Sequence, residues 1–140
     1  MKVIDSSSLA KYVNKEPNWD EVAKRIAEEG SSSLEFAILE VGNSIWKRVL
    51  RKEVPQANAS TVFQEFVKAV LESGLVTLVP LGEDLFNSSL KLAIAEKITV
   101  YDSAFIELAH RNRWGLVTSD ERQRDISKKR FASMEIEYIK

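Results

Sequence analysis

Acidic side chains are the residues of this sequence whose types and positions could do chemistry. The four candidates are Asp5, Glu40, Asp102 and Asp120. The 140-residue sequence has no cysteine and one histidine, which excludes disulfides, zinc–thiolate sites, cysteine nucleophiles and histidine-rich metal sites. Hard divalent cations prefer oxygen ligands and keep several waters, so this set of carboxylates is typical of a Mg²⁺ or Mn²⁺ site.

Asp5 ends the first predicted strand. Val3 and Ile4 favour a buried strand, whereas Asp5 and the serines at 6–8 favour the start of a helix. In an open α/β sheet, ligands bind in the crevice outside the carboxyl ends of the strands. An acid at that position therefore indicates a binding site, which the other acids could join.

Helix capping is the competing explanation for the aspartates, because helix starts attract acids. Asp5 is itself a suitable N-cap. The segment 99–102 has the pattern of a capping box that ends at Asp102, and the segment 118–121 has another, with Asp120 inside the first helical turn. For each aspartate alone, capping and metal binding are equally compatible with the sequence.

Glu40 has no such explanation in the sequence. It falls well inside the longest predicted helix, 34–52, whose apolar residues cover more than one face and predict a largely buried helix. Asn43 and Lys47 extend a polar stripe from Glu40 along this helix. Lys47 is seven residues away, a poor spacing for an ion pair. A carboxylate on a buried helix must find another partner or a cation.

Alternating strands and helices are predicted to position these acids. Strands are expected from residue 2 to Asp5 and at 31–33, 75–80, 115–118 and 136–139. Helices are expected at 8–13, from Asn18 or Asp20 to Gly30, at 34–52, 55–73, 83–96 and 99–112, and after Asp120. Connections long enough for crossovers predict an α/β fold with a mostly parallel sheet covered on both faces.

The composition predicts a single globular domain over residues 1–140. Hydrophobic residues make up 44% and charged residues 29% of the sequence, which is too apolar for a disordered chain. No apolar run approaches the length of a membrane span and the first strand leaves no room for a signal peptide, so we expect a cytoplasmic protein. The net charge of −1 does not indicate nucleic-acid binding, but basic residues cluster within 47–52, 111–113 and 122–130.

Four sequence fragments carry a resemblance to a known family. They are Val3-Ile4-Asp5-Ser6-Ser7, Glu40-Val41-Gly42-Asn43, Tyr101-Asp102-Ser103-Ala104 followed by Leu108-Ala109, and Leu116-Val117-Thr118-Ser119-Asp120. In this order and spacing, the sequence resembles the PIN-domain ribonucleases, most closely the VapC toxins of prokaryotic toxin–antitoxin pairs. The resemblance spans essentially the whole chain.

The resemblance implies a three-layer α/β/α sandwich in which the four acids gather around one or two Mg²⁺ or Mn²⁺ ions and hydrolyse RNA phosphodiester bonds. Asp5 and Asp102 would be direct ligands. Glu40 would be a ligand or the base that orients water, and Asp120 a second-site or water-mediated ligand. The resemblance also implies a homodimer and a small VapB-like antitoxin that blocks the site.

Polar and basic neighbours are expected to complete such a site. The residues expected to hold the acids and the water network in place are Ser6, Asn43, Thr118 and Ser119, with Asn43 assigned to positioning Glu40. An acidic pocket repels RNA, so basic residues at its rim must bind phosphates. The candidates for that contact are Lys47, Arg48 and Arg122.

Two positions depart from the family pattern. Gln123 stands where such families usually place an apolar residue, which bears on helix packing more than on metal binding. Asp125 is a second acid close to Asp120 and leaves the identity of the fourth ligand open between them.

Two other functions stay open: a different PIN-type nuclease that processes RNA, and a catalytically silent α/β module whose acids only cap helices and whose role is to bind a partner.

Overall fold

The computed structural model describes residues 1–28 and 30–140 as alternating strands and helices. The strands are β1 (Lys2–Ile4), β2 (Ser31–Leu34), β3 (Val76–Val79), β4 (Gly115–Thr118) and β5 (Ile136–Tyr138). The helices are α1 (Ser6–Val13), α2 (Trp19–Ala27), α3 (Ala37–Leu50), α4 (Ala59–Phe66), α5 (Glu83–Glu96), α6 (Val100–Asn112) and α7 (Glu121–Arg130). A 3₁₀ turn at Gln56–Asn58 precedes α4, and a π-helical segment at Val67–Glu72 follows it.

The five strands form one sheet in the order β3-β2-β1-β4-β5, and each neighbouring pair is parallel. β1 lies at the centre, with Val3 opposite Ser32 on one side and opposite Leu116 on the other. The chain leaves β1 towards β2 and β3 and later returns on the other side of β1 as β4. The crevice beyond the carboxyl ends of β1 and β4 is therefore the topological switch point, where open α/β sheets bind ligands. The predicted α/β sandwich with a mostly parallel sheet is confirmed.

The middle of the sheet is apolar and buried on both faces, as expected for parallel strands covered by helices. Val3, Ile4 and Val117 have no exposed surface, and Phe105 of α6 packs fully buried in the same core. Burying each such side chain contributes about 1.5–3 kcal/mol relative to leaving it in water. This core holds the ends of β1 and β4 in place next to each other.

β2 forms although serine has a poor propensity for strands. It is hydrogen bonded to strands on both sides, and Ser33 Oγ donates to the carbonyl oxygen of Ile4 at 2.7 Å. Ser31 Oγ donates to the carbonyl oxygen of Arg25 at 2.9 Å, which ties β2 to the end of α2. Tertiary pairing therefore outweighs local propensity here.

Two predictions about buried elements are wrong. The predicted helix 34–52 begins at Ala37, because Leu34 is the last residue of β2, and it is not largely buried. Leu39, Trp46 and Leu50 on α3 keep 79%, 55% and 62% of their surface exposed. The predicted buried strand at 75–80 is instead the edge strand β3, in which Val76 is buried and Thr77 is exposed.

Helix ends follow the local signals that the sequence contains. α5 spans Glu83–Glu96 as predicted, and the Thr99 hydroxyl caps α6 by accepting the N–H of Asp102 at 3.2 Å. Gly74 ends the helical segment before β3 with a φ of +76°, a conformation that glycine adopts without strain. No helix within residues 1–28 and 30–140 is both long and apolar enough to span a bilayer.

Candidate active site

Asp5 lies at the switch point, between the end of β1 and the start of α1. Its main-chain N–H donates to the carbonyl oxygen of Val117, which ties it to β4 at 3.1 Å. Its side chain is fully buried and caps α1 by accepting the Ser8 N–H at 2.9 Å. Thr118 Oγ1 donates to Asp5 Oδ2 at 2.5 Å, and Ser7 Oγ lies 2.7 Å from Oδ1. The carboxylate is thus held in one orientation by groups from α1 and from β4.

These contacts engage both oxygens of the Asp5 carboxylate. Oδ1 accepts from the Ser8 N–H, Oδ2 accepts from Thr118, and Ser7 Oγ lies within hydrogen-bond distance of both. The pKa of Asp5 is raised from 3.8 to about 6, mainly by burial. The charge of Asp120 also raises this pKa, whereas the hydrogen bonds from Thr118, Ser8 and Ser7 lower it. The charged form is therefore costly in the protein alone, and a nearby cation would stabilise it.

Glu40 lies in the first turn of α3 and is half-buried. This corrects the expectation that no helix terminus explains it, because α3 begins three residues earlier, at Ala37. Ser6 Oγ donates to Glu40 Oε1 at 2.9 Å and links the start of α3 to the start of α1. Burial raises the pKa of Glu40, as do the charges of Asp102 and Asp5, while the Ser6 hydrogen bond lowers it.

Asp102 and Asp120 approach from the helices on the other side of the crevice. Asp120 is the N-cap of α7 and accepts the Gln123 N–H at 2.9 Å, whereas it was predicted to lie inside the first turn. Its own N–H donates to Thr118 Oγ1 at 3.0 Å. Burial raises the pKa of the half-buried Asp102, and so does the charge of Asp120.

Electrostatic interactions link the four acids although 115 positions separate the first from the last in the sequence. The charge of Asp120 raises the pKa of both Asp5 and Asp102, and the charges of Asp5 and Asp102 raise the pKa of Glu40. Within the described part of the chain, no three Asp, Glu, His or Cys side chains have the geometry of a ready-formed metal site. The structure thus brings the four carboxylates to one crevice without closing them around a common centre.

Of the serine and threonine residues expected to hold the acids, Ser6 and Thr118 contact carboxylates and Ser119 contacts neighbouring serines instead. Ser6 contacts Glu40, and Thr118 contacts both Asp5 and the main chain of Asp120. The Ser119 hydroxyl lies 3.0 Å from the Ser8 hydroxyl, and its N–H donates to Ser7.

Asn43 is placed differently from these residues. It is exposed, and its side chain makes no hydrogen bond to the residues that the structure describes. The group hydrogen bonded to Glu40 is Ser6. The sequence offered no reason to prefer Ser6, because the packing of α1 beside α3 decides which polar side chain reaches Glu40.

The three basic candidates lie at different distances from the acids. Arg122 is near enough for its charge to lower the pKa of Asp102, and it donates to the carbonyl oxygen of Lys97 at 2.7 Å. Arg48 is eight residues after Glu40, which places it about 12 Å further along α3. There it donates to the carbonyl oxygen of Asn14 at 3.1 Å. Lys47, one residue earlier, is exposed at the same end of α3.

Asp125 lies apart from the crevice. It is exposed, and Arg124 Nε donates to its carboxylate at 2.8 Å, which lowers the pKa of Asp125. Of Asp120 and Asp125, Asp120 is the one whose charge influences the pKa of Asp5 and Asp102. The geometry therefore favours Asp120 over Asp125 as the fourth acid of the crevice.

Ser7 and Gln123 are polar residues at the site whose contacts the sequence did not predict. Ser7 Oγ contacts Asp5 and accepts the Ser119 N–H, so it joins the two strand ends. Gln123 is buried, and its Nε2 donates to Asp102 Oδ1 at 3.2 Å. The one indication in the sequence for Gln123 was its residue type, because an amide stands at a position where such families usually place an apolar residue.

The chain is similar to known proteins over most of its length. The PIN domain model matches residues 2–129. Ribonuclease VapC3 from Pyrobaculum aerophilum is 29% identical over 124 residues, which cover 84% of this chain and 88% of that protein.

Solved structures show the same fold at low identity. A crystal structure from Pyrobaculum aerophilum has a TM-score of 0.68 at 21% identity and covers 96% of this chain and 87% of its own. A toxin–antitoxin complex from Klebsiella pneumoniae has a TM-score of 0.67 at 13% identity, covering 96% and 95%. VapBC2 from Rickettsia felis, bound to a promoter DNA fragment, has a TM-score of 0.65 at 12% identity, covering 98% and 97%. The chain belongs to the PIN-domain family.

Proposed function

We propose that this PIN domain is a Mg²⁺- or Mn²⁺-dependent endoribonuclease that acts in the cytoplasm as the toxin of a VapBC-type pair, as a single domain over residues 1–140. One observation carries the proposal: buried Asp5 shares a crevice with three other acids, and burial and mutual repulsion raise the pKa of three of the four. Burial and repulsion of these carboxylates lower the stability of the metal-free protein, and a cation would relieve that cost. The similarity to a protein named Ribonuclease VapC3 supports RNA as the substrate.

The donor atoms suit a hard divalent cation. The crevice offers carboxylate and hydroxyl oxygens, and Mg²⁺ typically takes only one or two protein carboxylates and keeps several waters. The carboxylates therefore need not form a closed cage beforehand. Asp5 and Asp102 would hold the cation directly, Glu40 would hold it or orient a water, and Asp120 would act through water or at a second position.

The roles of the remaining groups follow from their contacts. A bound divalent cation supplies an acidified water and neutralises charge that develops on the phosphate. Ser7 and Thr118 keep the Asp5 carboxylate turned into the crevice, because each contacts it from a different side. Ser6 holds Glu40 at the opposite wall, where its raised pKa suits the acceptance of a proton from water.

Cleavage is tested with Asp5→Asn. The variant should lose Mg²⁺-dependent cleavage of RNA and still fold, because asparagine keeps the shape and the capping oxygen of aspartate. The assay follows a labelled RNA with Mg²⁺ or with EDTA, and circular dichroism checks the fold. Asp20→Asn, at an exposed position on α2, is the matched control and should cleave normally. Undiminished cleavage by Asp5→Asn would falsify the proposal.

RNA phosphates would meet Arg122 first, since it lies closest to the acids among the three basic candidates. Lys47 and Arg48, at the far end of α3, would contact a neighbouring part of the RNA backbone. Each phosphate contact releases counterions, so binding should weaken as salt rises. Binding of RNA by a metal-free Asp5→Asn chain at several salt concentrations measures this contribution without cleavage.

A groove between α3 and α4 suits an antitoxin. Its volume is about 570 Å³, and its lining includes Ile45, Trp46, Val49, Leu50 and Phe63. Concave apolar grooves of this kind bind amphipathic helices, and the structures with a similar fold include toxin–antitoxin complexes. We assign this groove to a small VapB-like antitoxin. Trp46→Ala should weaken binding of a small VapB-like antitoxin while leaving the free chain's stability unchanged, because Trp46 is 55% exposed.

The exposed face of α5 suits a second copy of the chain. Phe86, Leu90 and Ile94 recur every four residues and keep 43%, 37% and 70% of their surface exposed. A convex apolar stripe on one helix can pack against its own symmetry mate in a two-fold dimer. We assign this stripe to the homodimer contact. Light scattering coupled to gel filtration should find a dimer for the native chain and a monomer for Ile94→Arg, and a native monomer would contradict this assignment.

A catalytically silent binding module is the second candidate. One observation favours it: Asp5 and Asp120 both cap helices, which is a structural task. This alternative requires that Mn²⁺ leave the melting temperature unchanged and that Glu40→Gln leave it unchanged as well. The nuclease proposal requires a rise with Mn²⁺ that Asp5→Asn abolishes.

A further inference from the structure

Gln123 joins two of the four acids. It lies in the first turn of α7 and is only 2% exposed. Its main-chain N–H donates to Asp120 Oδ1 at 2.9 Å, and its side-chain Nε2 donates to Asp102 Oδ1 at 3.2 Å. One residue therefore fixes two carboxylates that come from different helices and that repel each other.

The other end of the same amide has no partner. Gln123 Oε1 is buried and accepts no hydrogen bond from the described residues. A buried acceptor left without a donor lowers stability, whereas an apolar side chain of the same size avoids that loss. Protein stability alone therefore does not account for glutamine at this position.

An amide also has an advantage over a charged donor. Lysine or arginine in this place would neutralise the carboxylates and compete with a cation for them. The neutral N–H groups of Gln123 orient Asp102 and Asp120 and leave their negative charge available. The free Oε1 can accept a hydrogen bond from a water or hydroxyl group that enters the crevice.

We propose that Gln123 is a positioning residue of the nuclease site, which holds the Asp102 and Asp120 carboxylates ready for a divalent cation and offers Oε1 to an entering O–H group. This inference rests on the proposed function. It assigns to Gln123 a role in cation affinity that stability does not account for. Removal of the amide should therefore lower the affinity for the cation and leave the metal-free melting temperature nearly unchanged.

Gln123→Leu tests this. In metal-free protein the variant loses the unpaired acceptor, which raises stability, and also loses the hydrogen bond to Asp102, which lowers it, so its melting temperature should stay close to that of the native chain. Its affinity for Mn²⁺, measured by isothermal titration calorimetry with Mn²⁺ alone, should fall about ten-fold, the loss typical of removing a group that orients a ligand. Native Mn²⁺ affinity in Gln123→Leu, or a loss of affinity together with a lower metal-free melting temperature, would overturn the proposal.

Two further variants sharpen the result. Ser127→Ala is the matched control, because Ser127 Oγ is also buried and unpaired on α7, one turn further along, among the described residues. It should keep native Mn²⁺ affinity. Gln123→Glu adds a carboxylate beside Asp102, so it should lower the metal-free melting temperature and enlarge the rise that Mn²⁺ produces.

The two proposals fail in different ways. If the native chain shows neither heat of binding nor a thermal shift with Mn²⁺, the metal-dependent nuclease is refuted. If the native chain binds Mn²⁺ and Gln123→Leu binds it equally well, the nuclease proposal stands and the role of Gln123 is refuted.

Discussion

Asp5→Asn should change how the stability of the metal-free protein depends on pH. Burial raises the pKa of Asp5 from 3.8 to about 6 in the folded protein. A carboxyl group whose pKa is higher when folded contributes stability that is complete below its unfolded pKa and is lost as the pH rises through its folded pKa. About two pKa units correspond to roughly 3 kcal/mol, most of which the native chain should lose between about pH 4 and pH 7.

Asparagine removes this titration and retains most of the hydrogen bonds. Its Oδ1 can accept the Ser8 N–H that caps α1. The Thr118 hydroxyl, which now donates to Asp5 Oδ2, can turn and accept from the new amide. Relative to the native chain, Asp5→Asn should therefore gain about 2–3 kcal/mol on going from pH 4 to pH 7. For a domain of this size that is roughly 10 °C in melting temperature.

The difference in melting temperature between Asp5→Asn and the native chain is measured in EDTA at unit steps from pH 4 to pH 7, with tryptophan fluorescence as the signal for unfolding. Asp20→Asn serves as the exposed control and should follow the native profile. Addition of Mn²⁺ at pH 7 should then raise the melting temperature of the native chain and leave that of Asp5→Asn nearly unchanged. Parallel pH profiles for the native chain and Asp5→Asn would show that Asp5 does not titrate in a buried setting, and the reasoning about the site would be refuted.

Three further changes have expected outcomes. Thr118→Val leaves Asp5 Oδ2 without its donor and should lower the free energy of unfolding by about 1–3 kcal/mol in urea denaturation at pH 7; a neutral result would contradict the contact. Gly30→Ala should cost about 1 kcal/mol by the same measurement, because Gly30 has a φ of +84° and a Cβ there would lie 2.6 Å from the Met1 sulfur. Arg122→Ala should weaken RNA binding and reduce the slope of log affinity against log salt by about one, and an unchanged slope would exclude a phosphate contact.

Much of the fold could be predicted because its signals are local. The bounds of α5 and β4 were predicted as observed, from the apolar spacing within Glu83–Glu96 and from the run Gly115–Thr118. The start of the helix predicted at 34–52 was wrong because one apolar run crosses from strand β2 into helix α3 at Leu34. The burial of α3 and β3 was wrong because the exposure of a side chain depends on which element packs against it. A sequence shows that Trp46 is apolar, but only the packing of α4 beside α3 shows that the groove between them is open.

Asp5, Asp102 and Asp120 were candidates in the sequence because each follows a strand or starts a helix, and chain connectivity carries such positions towards the switch point. Ser6 and Thr118 were expected to hold the acids, but which acid each orienting group contacts could not be predicted. Ser6 reaches Glu40, and Gln123 reaches Asp102, because whole helices pack at particular angles. Hydrogen bonds between side chains distant in sequence depend on that packing and leave no periodic signal.

Capping and metal binding, which the sequence left as alternatives, are compatible tasks for the same side chain. Asp5 caps α1 with one oxygen, and the requirement for a cap explains an oxygen at that position. It does not explain a charge, because serine and asparagine cap equally well and would avoid burying a carboxylate whose pKa rises to about 6. The charge lowers stability in the metal-free protein, and under the proposed function a cation in the crevice would make use of it. The excess of negative charge beyond what capping needs is therefore the part of this structure that indicates function.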